Sequence, residues 1–236
     1  MQSINPFLTN DSTAALGPGT LEMALFLTET LRIETGMRVL EVGGGSGHVA
    51  TILAKNWGAY VITLEPWHGA DAIQARAEAA GIGNRVLGLR IRAEDMPFAN
   101  ATFDAVLSIN SFEMIAIADN QQRALAEMVR VARPGARVGI AEPIALTAAM
   151  PPDLAELDER GRLNFQLCFR TLESNRVLIA QAGLHLEDAY YFPEARAWWE
   201  AYAAQATAPD RAVERELIRR DAGRWLSLGV VVGQKL

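Results

Sequence analysis

Cysteine is nearly absent. Cys168 stands alone among 236 residues, which excludes a disulfide framework and any multi-cysteine metal site. Histidine is as scarce, and His48, His68 and His185 do not form a metal-ligand pattern. Positive charge is in the minority: 22 Lys and Arg face 28 Asp and Glu, for a net charge of −6. With a pI near 5.2, such a surface offers no electrostatic grip on nucleic acid. No apolar run approaches the ~18 residues of a membrane span. Met1 to Asn10 lacks the basic and then apolar pattern of a signal peptide. Repeats and low-complexity segments are missing as well. These absences predict a soluble cytoplasmic protein with neither nucleic acid nor membrane as a partner. Half of the residues are hydrophobic, enough to bury a full core as one domain or one domain with a small lid.

The most informative stretch is Val39-Leu40-Glu41-Val42-Gly43-Gly44-Gly45-Ser46-Gly47-His48. A short apolar run with one acid near its end reads as a buried parallel strand. The glycines read as the tight turn into a helix that runs to Asn56. Such a turn brings backbone close to a ligand and aims free helix N–H groups at it. Folds that bind NAD, FAD, nucleotides or S-adenosylmethionine (SAM) all use one. Glu41 narrows the choice, because a carboxylate at the mouth of the turn repels a pyrophosphate and attracts the cationic amino end of SAM. Gly43 to Gly47 also lacks the G-x-G-x-x-G spacing, since position 48 is His, and no Gly-Lys-Ser/Thr follows. An acid, one residue, then G-x-G-x-G resembles the first motif of the class I SAM-dependent methyltransferases. Within them the chain is similar to the small-molecule group that includes the ubiquinone and menaquinone biosynthesis enzymes.

A second strand, Tyr60 to Leu64, ends in Glu65, 22 residues after Gly43. An acid about 20 residues on is placed to accept hydrogen bonds from ribose hydroxyls. Pro66 and Trp67 follow where the family offers apolar side chains to adenine; Trp67 either stacks there or fills core. A helix over 69–80 and a strand over 85–91 lead to Ala93-Glu94-Asp95-Met96-Pro97-Phe98 and then Phe103-Asp104-Ala105-Val106. This pairing resembles the family's D-A-E-x-L-P-F and F-D-x-V. Ala93 and Glu94 match and are expected at the cofactor. Arg92 replaces the leading Asp, which leaves a backbone N–H contact to adenine; Asp95 is either a substitute acceptor or, as Glu94 could be too, a surface loop acid.

The fourth strand, Phe103 to Ile109, runs into Asn110-Ser111-Phe112-Glu113. Polar residues directly past a buried strand line a pocket at the sheet's C-terminal edge. Asn110 is therefore expected at the cofactor and Ser111 at the substrate. Glu113 is either substrate contact and general base, or the cap of the next turn. Residues 121–131 read as a helix, 133–137 as a turn similar to the family's R-V-L-K-P-G-G, and 138–141 as the fifth strand. Helices over 153–162, 172–181 and 210–222 and strands over 184–192 and 225–233 complete the pattern. Trp198, Trp199 and Tyr202 share a helix, with Trp198 either part of an aromatic wall near the substrate or plain packing. His48 is expected to shape the glycine turn, His68 to lie by the adenine end, and His185 to be a buried imidazole.

The expected fold is α/β: a Rossmann-like, doubly wound, mostly parallel sheet of seven strands with a small helical cap. One domain spans 1–236, with an N-terminal arm and helix (1–35) and a cap segment (143–170) over the site. The resemblance implies transfer of a methyl group from SAM to a small organic acceptor, with S-adenosylhomocysteine as product. No metal is implied. The Asn/Asp-Pro-Pro-aromatic motif of base methylation is absent after the fourth strand, and one cysteine argues against arsenic methylation. A small organic acceptor is left, methylated on oxygen or nitrogen ahead of carbon or sulfur. Two other readings are a SAM-binding protein without catalysis, in a regulatory role, and a SAM-dependent enzyme of other chemistry. A nicotinamide oxidoreductase is disfavoured by Glu41 and by the glycine spacing. The oligomeric state is not set by the sequence, and a homodimer is left open.

Overall fold

The computed structural model describes residues 5–8, 17–67, 70–118 and 120–236. Seven strands form one sheet: β1 (Arg38–Val42), β2 (Tyr60–Leu64), β3 (Val86–Leu89), β4 (Phe103–Ile109), β5 (Ala132–Ala145), β6 (His185–Tyr191) and β7 (Leu226–Gln234). Their order is β3-β2-β1-β4-β5-β7-β6. The pairings from β3 through β5 are parallel, and β7 lies antiparallel to both β5 and β6.

Strand alternation builds two cores from one run of sequence. Val39, Ala105 and Leu107 join one hydrophobic cluster, whereas Leu40 and Val106 join the other. Successive side chains of a strand point to opposite faces, so strands buried on both faces are almost wholly apolar. The first face is covered by α1 (Thr20–Thr30), α2 (His48–Ile52) and α3 (Ala70–Ala79), and by α5 (Pro152–Gly161), α8 (Ala195–Gln205) and α9 (Ala212–Asp221). The second is covered by α4 (Gln121–Val131) and α7 (Leu172–Gln181). A short helix, α6 (Phe165–Cys168), precedes α7.

Most expected elements are present, with four differences. The first crossover helix ends in a π-helical stretch, Leu53–Trp57, whose Trp57 ring stacks on Phe7 at 5.3 Å. β3 is four residues long. The turn expected at 133–137 is an irregularity inside a longer β5: Phe103 pairs with Ala132, and the regular register resumes at Ala105 with Arg137. Gly135, at φ +80°, donates its N–H to Lys235 O there, so the backbone bends without leaving the sheet. Pro143 lies within β5 and does not begin a cap. β4 has already ended, with Ile109 opposite Ala141, and proline's missing N–H breaks no ladder on that open side. The cap begins after Ala145, whose N–H returns to Arg170 O at 2.9 Å.

Parts of the expected N-terminal arm (1–4 and 9–16), His68 and the first residue of the 69–80 helix lie outside the described residues. Among the described residues no helix is long and apolar enough to cross a membrane.

Candidate active site

The C-terminal ends of β1, β2 and β4 open around a cavity of about 520 Å³. It sits where β1 has β2 on one side and β4 on the other, the switch point at which open α/β sheets bind ligands.

The glycine turn forms the floor. Gly43 and Gly44 donate their N–H groups to Leu64 O at 2.8 and 3.0 Å, and Gly47 donates to Gly44 O at 2.8 Å. Gly43 has φ +82°, and a Cβ there would stand 2.1 Å from Ser111 Oγ. A Cβ on Gly44 would stand 1.7 Å from Thr63 Oγ1 and 2.9 Å from Glu41 Oε2. Neither place admits a side chain. Gly43, Gly44, Gly45 and Ser46 line the cavity, but Gly47 does not; its bare Cα lets α3 approach, where a Cβ would meet Ile73 at 2.8 Å.

Two acids face this floor. Glu65 Oε2 accepts the Gly45 N–H and Oε1 the Trp67 N–H, both at 2.8 Å, so one carboxylate ties the glycine turn to the loop after β2. Glu41 is buried, and its Oε2 has no hydrogen-bond partner. Burial pushes the Glu41 carboxyl up to about 7, with the charge of Glu65 adding to the shift. A buried carboxyl oxygen without a donor at the edge of a cavity is a place for a cation or an N–H group.

The opposite wall comes from β4. Ser111 Oγ donates to Gly43 O at 3.0 Å, and Ser108 Oγ to Val42 O at 2.9 Å. Asn110, at φ +48°, donates both amide hydrogens to the N-terminal segment: to Pro18 O at 3.0 Å and to Thr20 Oγ1 at 2.6 Å. Its own N–H goes to Ala141 O. Thr20, Asn110, Ser111, Met114 and Ile115 all line the cavity.

At the remaining side stand Pro66, Trp67, Ile91, Arg92, Ala93 and Glu94. Arg92 Nη2 and Asn120 Nδ2 meet Glu94 Oε1 at 3.1 and 3.2 Å. Burial works against the charge of Glu94, but Arg92 and Asn120 outweigh it and hold the carboxyl below its usual range. Asp95 is exposed and lies outside the lining. Trp67 is 77% exposed at the rim, so it is not core filling.

Two expected site residues lie elsewhere. Glu113 starts a 3-10 segment, Glu113–Ala118, and is buried behind the wall while Ser111, Met114 and Ile115 line it. Trp198 packs on Phe192 at 5.3 Å and over Gly19, away from the cavity. His48 lines the cavity and its Nε2 lies 3.2 Å from Phe7 O. His185 is exposed at the start of β6, not buried. No group of three or more metal-ligating side chains occurs among the described residues.

Sequence reasoning did not assign Thr20, Met114 or Ile115 to the lining. The pair at 114–115 carries a signal in hindsight, lying three and four positions after Ser111, which is one turn of helix. Thr20 falls within the arm and helix (1–35) expected over the site, but nothing local singles it out as the residue that meets a strand end 90 positions away.

Residues 40–140 match a family model described as a methyltransferase domain. The O-methyltransferase rstn1 of Aspergillus nomiae is 34% identical over 125 residues, covering 52% of this chain and 53% of that protein. The methyltransferase GfsG of Streptomyces halstedii is 31% identical over 161 residues, covering 68% and 57%. The chain therefore spans little more than half the length of these relatives. Geranyl diphosphate C-methyltransferase from Streptomyces coelicolor A3(2), crystallised with Mg2+, geranyl diphosphate and S-adenosylhomocysteine, superposes with a TM-score of 0.76. The match covers 91% of this chain and 79% of that one at 15% identity, and shows a common fold. Sheet order, glycine turn and domain match agree: residues 40–140 carry a methyltransferase domain, on a fold similar to that of the class I SAM-dependent methyltransferases.

Proposed function

We propose that the protein transfers the methyl group of SAM to a small organic acceptor, on oxygen or nitrogen, and releases S-adenosylhomocysteine. The observation that carries this reading is Glu41 Oε2, buried without a partner beside a glycine floor that admits no side chain. When bound, SAM supplies a methyl group made electrophilic by its sulfonium. The Glu41 carboxylate would hold the ammonium of the methionine end, and the backbone of Gly43 and Gly45 would take that end at close range. Glu65 would accept from the ribose hydroxyls, since a carboxylate offers about four acceptor positions. Pro66, Trp67 and Ala93 would enclose the adenine, with Glu94 and Arg92 at its polar edge. Asn110 contributes indirectly, by fixing the N-terminal segment across the mouth. Ser111, Met114 and Ile115 would face the acceptor.

Positioning is most of what such a reaction requires of a protein. Ser111, Met114 and Ile115 bring no titratable group to the acceptor side, which fits that requirement, and the general-base role considered for Glu113 is not part of this proposal. The O-methyltransferase relative favours oxygen, whereas the structural neighbour acts on carbon; acceptor screening has to include all three atoms.

The test is calorimetric titration with SAM, S-adenosylhomocysteine and NAD, on the parent protein and on Glu65→Ala. Binding of the SAM pair that is lost in the variant, with none for NAD, supports the reading. Silence for both SAM and its product overturns it. Production of S-adenosylhomocysteine with hydroxylated or amine acceptors then separates catalysis from binding alone.

A further inference from the structure

Behind the wall formed by Ser111, Met114 and Ile115, two carboxyl groups meet out of solvent. Glu113 opens the 3-10 segment after β4. Glu142 stands in β5 one residue beyond the last pairing with β4. They are 4% and 2% exposed, and Oε2 of each has no hydrogen-bond partner. Glu142 Oε1 accepts from Asn175 Nδ2 of α7 at 3.1 Å. The other neighbours come from the cap and from α4. Arg170 supplies positive charge near Glu142 and hydrogen-bonds to Gln121 of α4, which donates to Phe112 O at 3.0 Å. Cys168 of α6 and Asp158 of α5 are further titratable groups there; burial and the charges of Glu113, Asp158 and Glu142 push the Cys168 thiol up to about 12, so it stays neutral.

Burial and the charge of Glu142 raise the proton affinity of Glu113; burial raises that of Glu142, against the opposing pull of its hydrogen bonds to Glu113 and Asn175 and of the Arg170 charge. One shared proton satisfies both groups. A protonated carboxyl is a donor, its neighbour is an acceptor, and the unpartnered oxygens become partners. The pair links the segment whose Met114 and Ile115 line the cavity to the free end of β5 and, through Asn175, to α7, while the cap helix α6 packs on the same segment.

We propose that Glu142 is a positioning residue that shares one proton with Glu113, and that this shared proton clasps the Glu113–Ala118 segment and its cavity-lining side chains against the cap. Removal of the proton places two charges in contact, separates the segment from α6 and α7, and loosens the acceptor side of the cavity. The proposal rests on the functional reading above only in assigning that side to the acceptor.

The test needs no ligand. Amide exchange of residues 111–118 and the unfolding temperature are followed from about pH 6 to about pH 10 in the parent protein, Glu142→Gln and Glu113→Gln. The range extends this high because the last proton of the pair sits on Glu113, whose affinity for it is raised well above the usual carboxyl range. In each variant an amide replaces the carboxyl and donates at every pH. In the parent, exchange of this segment accelerates about tenfold across the range, by the tenfold change in protonation per pH unit, beyond the chemical acceleration seen in the variants. In the variants the segment keeps its protection at the higher pH. Equal pH profiles in the parent and in whichever variant folds would overturn the clasp. Because Glu41 titrates in the same range, the local exchange at 111–118 decides, not the global temperature alone. SAM titration on the same samples separates the two claims. SAM binding with no pH effect at 111–118 removes the clasp and leaves the cofactor assignment. A pH effect without SAM binding does the reverse.

Discussion

Asn110 holds Thr20 across 90 positions of sequence, with Nδ2 2.6 Å from Oγ1. The C-terminal end of β4 and the first residue of α1 are thereby fixed to each other over the cavity. Thr20 passes the link on, donating to Gly17 O at 3.0 Å, and a Cβ on Gly17 would meet the Asn110 amide at 2.7 Å. A chain of short polar contacts thus ties the start of α1 to the cavity-lining end of β4.

Asn110→Ala removes two hydrogen bonds, about 1 kcal/mol each, and places alanine at a positive φ that costs roughly 1 kcal/mol more. A loss of about 2–4 kcal/mol in denaturant unfolding is expected, together with weaker SAM binding. Asn110→Gly relieves the backbone cost alone and should recover roughly 1 kcal/mol. If both variants unfold at the parent's midpoint, the contact is not holding the segment.

Glycines of the turn and glycines elsewhere should separate cleanly. Gly43→Ala puts a Cβ 2.1 Å from Ser111 Oγ, whereas Gly36→Ala, at a similar φ of +86°, meets nothing within 4 Å. Gly36→Ala pays only the backbone penalty, about 1 kcal/mol, and should bind SAM as the parent does. Gly43→Ala adds about 1–3 kcal/mol of overpacking and should abolish SAM binding. Calorimetry on the two variants is sufficient.

The pH dependence of SAM binding should follow Glu41. Its carboxyl is raised to about 7 by burial and by the nearby charge of Glu65, so below that pH the ammonium must displace a proton. Affinity is expected to rise with pH up to about 7, by as much as about tenfold per unit, and then level off. In Glu41→Gln the profile should be flat and the affinity low. The free protein shows the opposite sign. A group with a raised folded pKa binds more protons folded than unfolded, so its contribution is full below the unfolded carboxyl range and falls as pH rises toward 7. The loss is on the order of 3 kcal/mol. Denaturant titrations at several pH values, with and without SAM, check both signs.

Trp67→Ala should leave stability within about 0.5 kcal/mol, because the side chain is 77% exposed and removes no core. If the indole covers the adenine, S-adenosylhomocysteine affinity should fall by about 0.5–1.5 kcal/mol, roughly 2- to 10-fold. An unchanged affinity would place the adenine elsewhere.

The strands nearest the cavity were legible because chain chemistry marks both of their ends. β2 begins after Gly58 and stops at Glu65-Pro66, and β4 stops at the polar run from Asn110. β5 was read too short for the same reason. Pro134-Gly135 and Pro143 are strong breakers locally; the register shift opposite Phe103 to Ala105 and the Gly135 bond to Lys235 absorb the first, and Pro143 lies beyond the last pairing with β4. Glu142 was passed over with them, although an acid at the end of a strand had been the useful signal at Glu41 and Glu65. Glu113 was located in the right segment, but the direction of a side chain leaving a strand into a 3-10 turn follows no period that sequence can display. Trp198 illustrates the same limit on a helix. Its neighbour Trp199 takes the buried position, donating Nε1–H to Ser227 O at 3.2 Å.

The order β5-β7-β6 places β7 in the interior of the sheet although it is made after β6. On a ribosome, the strand that joins β6 to the rest is therefore the one still to come. Until residues 226–234 emerge, β6 has no partner and β5 presents an open edge of apolar sequence, a template for pairing with another chain. The parallel half that carries the cavity is complete without β7. The strand order thus leaves the β5 edge uncovered until the last strand arrives, and α1, which packs in one core with β7, gains its full support only then.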